Sequence, residues 1–141
     1  MKPLEAMQAA LTGEHAAVYV YGVVGSRISL SAQPTLWNQV RAAYTTHRGR
    51  RDQLVAMVRA ADGDPVAAEV SYDLPNAAKT PAQLNRAALE LERRCTATYA
   101  DMVGSTWGAG RQWALEALDD AAVRQLGFGG AAEVFPGIAE L

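Results

Sequence analysis

Cysteine is almost missing from this chain of 141 residues, Cys95 being the only one, which excludes an intrachain disulfide and a zinc cluster built on several cysteines. A reducing compartment suits that count. Long apolar runs are absent as well. No stretch approaches the roughly 20 apolar residues of a membrane span. The opening MKPLEAMQAALTGEHAAVYVYGVV, interrupted by Glu5, Glu14 and His15, makes a poor secretory signal. A cytoplasmic protein with no membrane partner is the expectation. An excess of one charge is lacking too: thirteen Lys and Arg against fifteen Asp and Glu give a net charge of −2. No global field then favours nucleic acid.

What the chain has in quantity is apolar residues, half of the total, with alanine prominent. That suffices for one core at this length, and small side chains favour close helix packing over a wide cofactor cavity. Residues 1–141 are expected to form one helical domain. Pro3 suits a first helical turn, and Leu4, Met7, Leu11, Glu14, Val18, Tyr21, Gly25 and Ile28 follow at gaps of three and four. The spacing predicts a first helix over about residues 3–29. Pro34 opens a second, whose stripe of Trp37, Val40, Tyr44, His47, Arg51, Leu54 and Val58 runs to about residue 60. Thr80, Pro81 and Gln83 read as a capping box, after which Leu84, Ala88, Leu91, Cys95, Thr98 and Met102 carry a third helix to about residue 103. GSTWGAG at 104–110 breaks the pattern. Arg111, Ala114, Leu115, Leu118, Ala122 and Leu126 then give a fourth helix, before an irregular tail from about residue 127 anchored by Phe128 or Phe135.

Between helices two and three, DPVAAEVSYDLPNAAKT has no sustained period, and a short helical turn is expected at PVAAEV. A helix of about 25 residues is about 38 Å long. This connector, at about 3.3 Å per extended residue, can return along that whole length. The other connections are short and favour antiparallel neighbours. The pattern predicts an all-α four-helix bundle with one long crossover between helices two and three.

ALTGEHAAVYVYGVVG at 10–25, HRGRRDQL at 47–54, YDLP at 72–75 and ALELERRCTATYADMV at 88–103 resemble the DUF4439 type of small actinobacterial protein, a ferritin-like domain of unknown function. The resemblance covers nearly the whole chain. It implies a ferritin-like bundle and supplies no reaction.

Three polar groups lie on the inward stripes: Glu14 on helix one, His47 and Arg51 on helix two. Buried without partners they would cost several kcal/mol each, so Glu14 is expected to meet Arg51, His47 or both. The functional alternative is a metal centre for iron or another transition metal. Ferritin-like di-iron bundles take a Glu from each of two helices and a Glu-x-x-His pair from each of the others. Here Tyr44 stands where the glutamate before His47 belongs, Glu92 is followed by Cys95, and Glu116-x-x-Asp119 points largely outward. Glu14, His47 and Glu92 are thus the remnant ligand set, with Arg51 adding positive charge where iron needs negative. A structural ionic network without a cofactor, in a protein that is not an enzyme, is the preferred reading.

Other features read the same way. His15, about 100° around the helix from Glu14, is expected at an edge or interface. Tyr19, Tyr21, Trp37 and Tyr44 fit core packing, with a pocket for an unidentified small molecule or regulatory partner as the alternative. Tyr72 and Asp73 suit a capping role. Arg48 and Arg50 are assigned to solvent, apart from Arg51, which breaks up any phosphate-binding patch. The aromatics of the first two helices, with their alanines and glycines, suggest a homodimer.

Overall fold

Proline sets the start of three of the four helices. The computed structural model describes residues 1–138 and forms α1 over Pro3–Ser26, α2 over Pro34–Ala60, α3 over Pro81–Ser105 and α4 over Gly108–Gly127. Pro3, Pro34 and Pro81 occupy the first helical turn, where φ is already helical and the missing N–H loses no bond. At α3 the cap is reciprocal: Gln83 N–H donates to Thr80 Oγ1 at 3.2 Å, and Thr80 N–H donates to Gln83 Oε1 at 3.3 Å. The first helix ends at Ser26 and not near residue 29: the Arg27 N–H tightens onto Val24 O at 3.1 Å, and its side chain donates to the carbonyls of Ala77 and Ala78, each at 3.3 Å. After α2, Gly63 N–H closes onto Val58 O at 2.9 Å. A Cβ on Gly63 would stand 2.7 Å from Leu4 Cδ1 and 3.1 Å from Val58 O, so a larger residue in this turn would have to push the Leu4 side chain aside.

Residues 61–80 run along α1 from its start to its end. Gln8 donates to Asp64 O at 2.6 Å and accepts from Val66 N–H at 2.9 Å; His15 Nε2 meets Val66 O at 2.9 Å. Further on, Tyr72 packs on Tyr19 with ring centroids 5.7 Å apart. This path is the long crossover. The helical turn expected at PVAAEV does not form, since side chains of α1 take up both backbone groups of Val66. His15 therefore fastens the connector, Tyr72 accepts from Glu69 N–H at 2.8 Å, and Asp73 is exposed.

The close helix pairs are α1 with α2, α1 with α3, and α3 with α4. Alanine makes them close: Ala10 and Ala17, Ala43, Ala87 and Ala88, and Ala117 and Ala121 are all buried. On α4 the leucines that the period placed inside, Leu115 and Leu126, are exposed instead. The remaining side, between α2 and α4, is bridged by polar groups. Gln39 donates to Gly127 O at 3.2 Å, Arg124 to Thr46 Oγ1 at 3.4 Å, and Trp113 Nε1 to Gln53 Oε1 at 2.7 Å. Among the described residues there is no β-strand.

Two apolar clusters fill the bundle. The larger includes Tyr21, Val24, Leu36, Val40, Leu84, Leu91 and Phe128; the smaller comprises Ala6, Ala10, Leu11, Leu54, Met102 and Ala114. Phe128 anchors the tail, whereas Phe135 is exposed. Along α1 and α2 the buried polar residues Glu14, His47 and Arg50 fall between the two clusters.

Candidate functional site

All four helices contribute to this polar layer. Glu14, His47 and Glu92 are 1%, 0% and 0% exposed. The His47 ring is the hub: Nδ1 lies 2.6 Å from Glu14 Oε2, and Nε2 lies 2.9 Å from Glu92 Oε1. Both carboxylates can accept only if both ring nitrogens donate, which makes the ring an imidazolium. Burial alone pushes the imidazole down, but the hydrogen bonds and charges of Glu14 and Glu92 outweigh it, and its pKa rises to about 9. Burial likewise works to raise Glu92, and His47, Arg124 and Tyr21 together hold its carboxyl below the ordinary value.

Two phenols donate to the carboxylates, and Glu92 Oε2 is left without a hydrogen-bond donor. Tyr99 donates to Glu14 Oε1, and Tyr21 donates to Glu92 Oε1 at 2.5 Å while stacking on His47 with centroids 5.4 Å apart. Burial above all pushes both phenols well up, so they remain donors. At the α2/α4 side Arg50 donates to Tyr99 Oη at 3.4 Å and to Asp120. Arg124 Nη1 stands 2.8 Å from Asp120 Oδ2 and 3.7 Å from Glu92 Oε2. Three cations, His47, Arg50 and Arg124, thus face three anions, Glu14, Glu92 and Asp120. The centre is electrically balanced.

A di-iron centre does not fit these residues. Metal ligands must aim free lone pairs at one point, yet both His47 nitrogens are engaged and the two carboxylates lie against different edges of its ring. Cys95, at the position of a ligand histidine, is buried, and burial pushes its thiol well up. Glu116 is exposed and accepts from Gln112 at 2.7 Å, and Asp119 is exposed too. Among the described residues, no group of three or more His, Cys, Asp and Glu is arranged to hold a metal ion. A buried network of ion pairs and hydrogen bonds stands in place of a complete metal site.

The structure brings Glu14, His47, Tyr21 and Glu92 together. Glu92, the third member of the remnant ligand set, is fully enclosed. Arg51 is elsewhere: it pairs with exposed Asp52 at 2.9 Å, and the inward arginine is Arg50. The buried stripe of α2 is Leu36, Val40, Ala43, His47, Arg50, Leu54 and Val58. It shares Val40, His47, Leu54 and Val58 with the expected stripe and differs at every seventh residue, where the larger Trp37 and Tyr44 pointed to the wrong flank. Ala43 fits the close α1/α2 contact, and Tyr44 is left at the edge, outside the network. Arg50, Tyr99, Asp120 and Arg124 were missed. Tyr99, four residues after Cys95 and seven after Glu92, was readable from spacing. Asp120 and Arg124 form an i, i+4 pair beside Ala117 and Ala121, a signal that precedes any knowledge of their partners.

Residues 6–140 match a domain of unknown function, DUF4439. The chain belongs to the DUF4439 family. A ferritin-like bundle with its ionic centre is this DUF4439 member's architecture, and a solved structure resembles it. The crystal structure of a conserved hypothetical protein, rv2844, from Mycobacterium tuberculosis aligns with a TM-score of 0.83 at 28% identity, over 90% of this chain and 94% of that one. Among curated proteins none matches the DUF4439 chain.

Proposed function

We propose that this chain is a non-catalytic, single-domain scaffold that acts as a homodimer in the cytoplasm, its buried charges fixing helix register. The observation that carries this reading is the double engagement of His47 by Glu14 and Glu92. An imidazolium so held has no lone pair with which to take a proton or bind a metal. Buried ionic groups of this kind penalise misregistered packing, because a displaced partner leaves a charge unpaired in the interior. The lone cysteine supports a reducing compartment, and no helix among the described residues is long and apolar enough to cross a membrane.

Support for the dimer comes from α4 and not from the aromatics of the first two helices. Leu115, Val123 and Leu126 are exposed along α4, Trp107 is exposed at its start, and Phe135 is exposed in the tail that follows it. Such apolar surface marks association. Sedimentation of the wild type across micromolar concentrations is expected to give a dimer that Val123→Glu with Leu126→Glu converts to monomer. A wild-type monomer throughout overturns the dimer. Anaerobic iron loading of untagged protein, followed by metal analysis, is expected to leave far less than one ion per chain. Stoichiometric iron that is lost in His47→Ala would overturn the non-catalytic reading and restore a metal site at Glu14, His47 and Glu92.

A further inference from the structure

The outer edges of α1 and α2 meet in a feature separate from the α4 surface. Tyr21, Gly22 and Gly25 from α1 and Trp37, Val40, Arg41 and Tyr44 from α2 enclose an open groove of about 280 Å³. Glycine inside a helix is less stable than alanine, so Gly22 in the groove asks for a reason, whereas Gly25 lies in the last turn of α1. Close approach is not that reason. A Cβ on Gly22 would lie 3.8 Å from Tyr44 Cε2, and one on Gly25 would lie 3.5 Å from Val40 Cγ1, both ordinary contact distances. Neither glycine has a positive φ. What their missing methyl groups preserve is the space of the groove itself.

Charge then narrows the occupant. Between Glu14 and Asp52 the chain contains no Asp or Glu, but it contains Arg27, Arg41, Arg48, Arg50 and Arg51. Arg50 and Arg51 are paired with Asp120 and Asp52, and Arg27 holds the crossover. Among the described residues, Arg41 and Arg48 make no salt bridge. Each guanidinium lies against an aromatic ring of the groove: Arg41 is 5.1 Å from the Trp37 centroid, and Arg48 is 5.6 Å from the Tyr44 centroid. Aromatic walls and the unpaired charge of Arg41 therefore coincide on one concave surface, with Arg48 beside it against the Tyr44 ring.

We propose that this groove binds a small planar aromatic carboxylate, its ring lying over Gly22 and Gly25 between Trp37 and Tyr44, its carboxylate on the Arg41 guanidinium. The planar guanidinium fork matches a carboxylate's two oxygens. The volume, near the lower end of the roughly 300–1,000 Å³ of ligand clefts, limits the ring system to one or two fused rings. Tyr21 is shared by the groove and the ionic centre, since its ring stacks on His47. The site goes beyond the scaffold reading, because it requires neither the dimer nor a reaction.

Calorimetric titration of the whole chain with 2-naphthoate tests the site, with neutral 2-naphthamide as control. Saturable binding to a single site is expected, weakened roughly ten-fold by the amide or by Arg41→Gln, as befits the loss of one charge-assisted contact. The double variant Gly22→Ala with Gly25→Ala is expected to melt at a higher temperature and yet lose binding. That combination separates a filled groove from a damaged fold. Heat without saturation, equal affinity for the amide, or naphthoate affinity unchanged in both Arg41→Gln and the double alanine variant would overturn the proposal.

Discussion

Leu54 and His47 lie two turns apart on the same face of α2, both 0% exposed, and they are held by opposite means. Leu54 belongs to the smaller apolar cluster, where any close-packed arrangement of Leu11, Met102 and the alanines rewards its burial. His47 is buried at a loss unless Glu14 of α1 and Glu92 of α3 stand at its two nitrogens. The difference separates two kinds of information. The apolar clusters favour compactness, while the polar layer allows one register of the four helices.

His47→Ala should break the comparison most severely. It leaves two buried carboxylates facing each other, and denaturant unfolding at neutral pH should show a loss of roughly 3–5 kcal/mol. Leu54→Ala should cost about 3 kcal/mol through its cavity. The two losses should part company with pH. His47 has its pKa raised from 6.5 to about 9, so its stabilisation is complete below about pH 6.5 and disappears as pH rises through about 9. The His47→Ala deficit should therefore shrink in alkaline solution, while that of Leu54→Ala holds steady. At the acid end Glu92, held below its ordinary 4.5, contributes stability above that value and loses it as pH falls through its lowered pKa.

Next in size is the pair Arg50 and Arg51. Arg50→Ala, which strips Tyr99 and Asp120 of a buried cation, should cost about 2 kcal/mol or more. Arg51→Ala removes only a surface pair with Asp52 and should stay within about 0.5 kcal/mol in the same assay. Equal effects would return Arg51 to the interior. Tyr99→Phe is the smallest test of the centre: it takes one donor from Glu14 and should cost about 1–3 kcal/mol in thermal or urea unfolding.

The bundle was legible because its signals are local or periodic. Proline at the first helical turn, the Thr80 and Gln83 cap, and the length of the crossover each act over a few residues or need only a distance. The contact between Glu14 and His47 was readable for the same reason, both lying on seams that every three-four reading of their helices includes. Which flank of a seam turns inward depends on the neighbour. Close α1/α2 packing admits Ala43 and turns Tyr44 to the edge, and the register carries Arg50 inward in place of Arg51. On α4 the same rule buries Ala117 and Ala121 and leaves Leu115 and Leu126 outside. Size suggested the opposite choice in both helices. The spacing that places Tyr99 on the inward face and pairs Asp120 with Arg124 does not name their partners on other helices, a relation that one helix's period does not contain.

The central claim is that His47 is a buried imidazolium clamped between two carboxylates. Imidazole ¹⁵N NMR across a pH series, with and without added iron(II) under anaerobic conditions, tests it most directly. Both His47 nitrogens should remain protonated through neutral pH, titrate near 9 and ignore the metal. A ring that is neutral at pH 7, titrates near the ordinary 6.5, or shifts with stoichiometric iron would contradict the account.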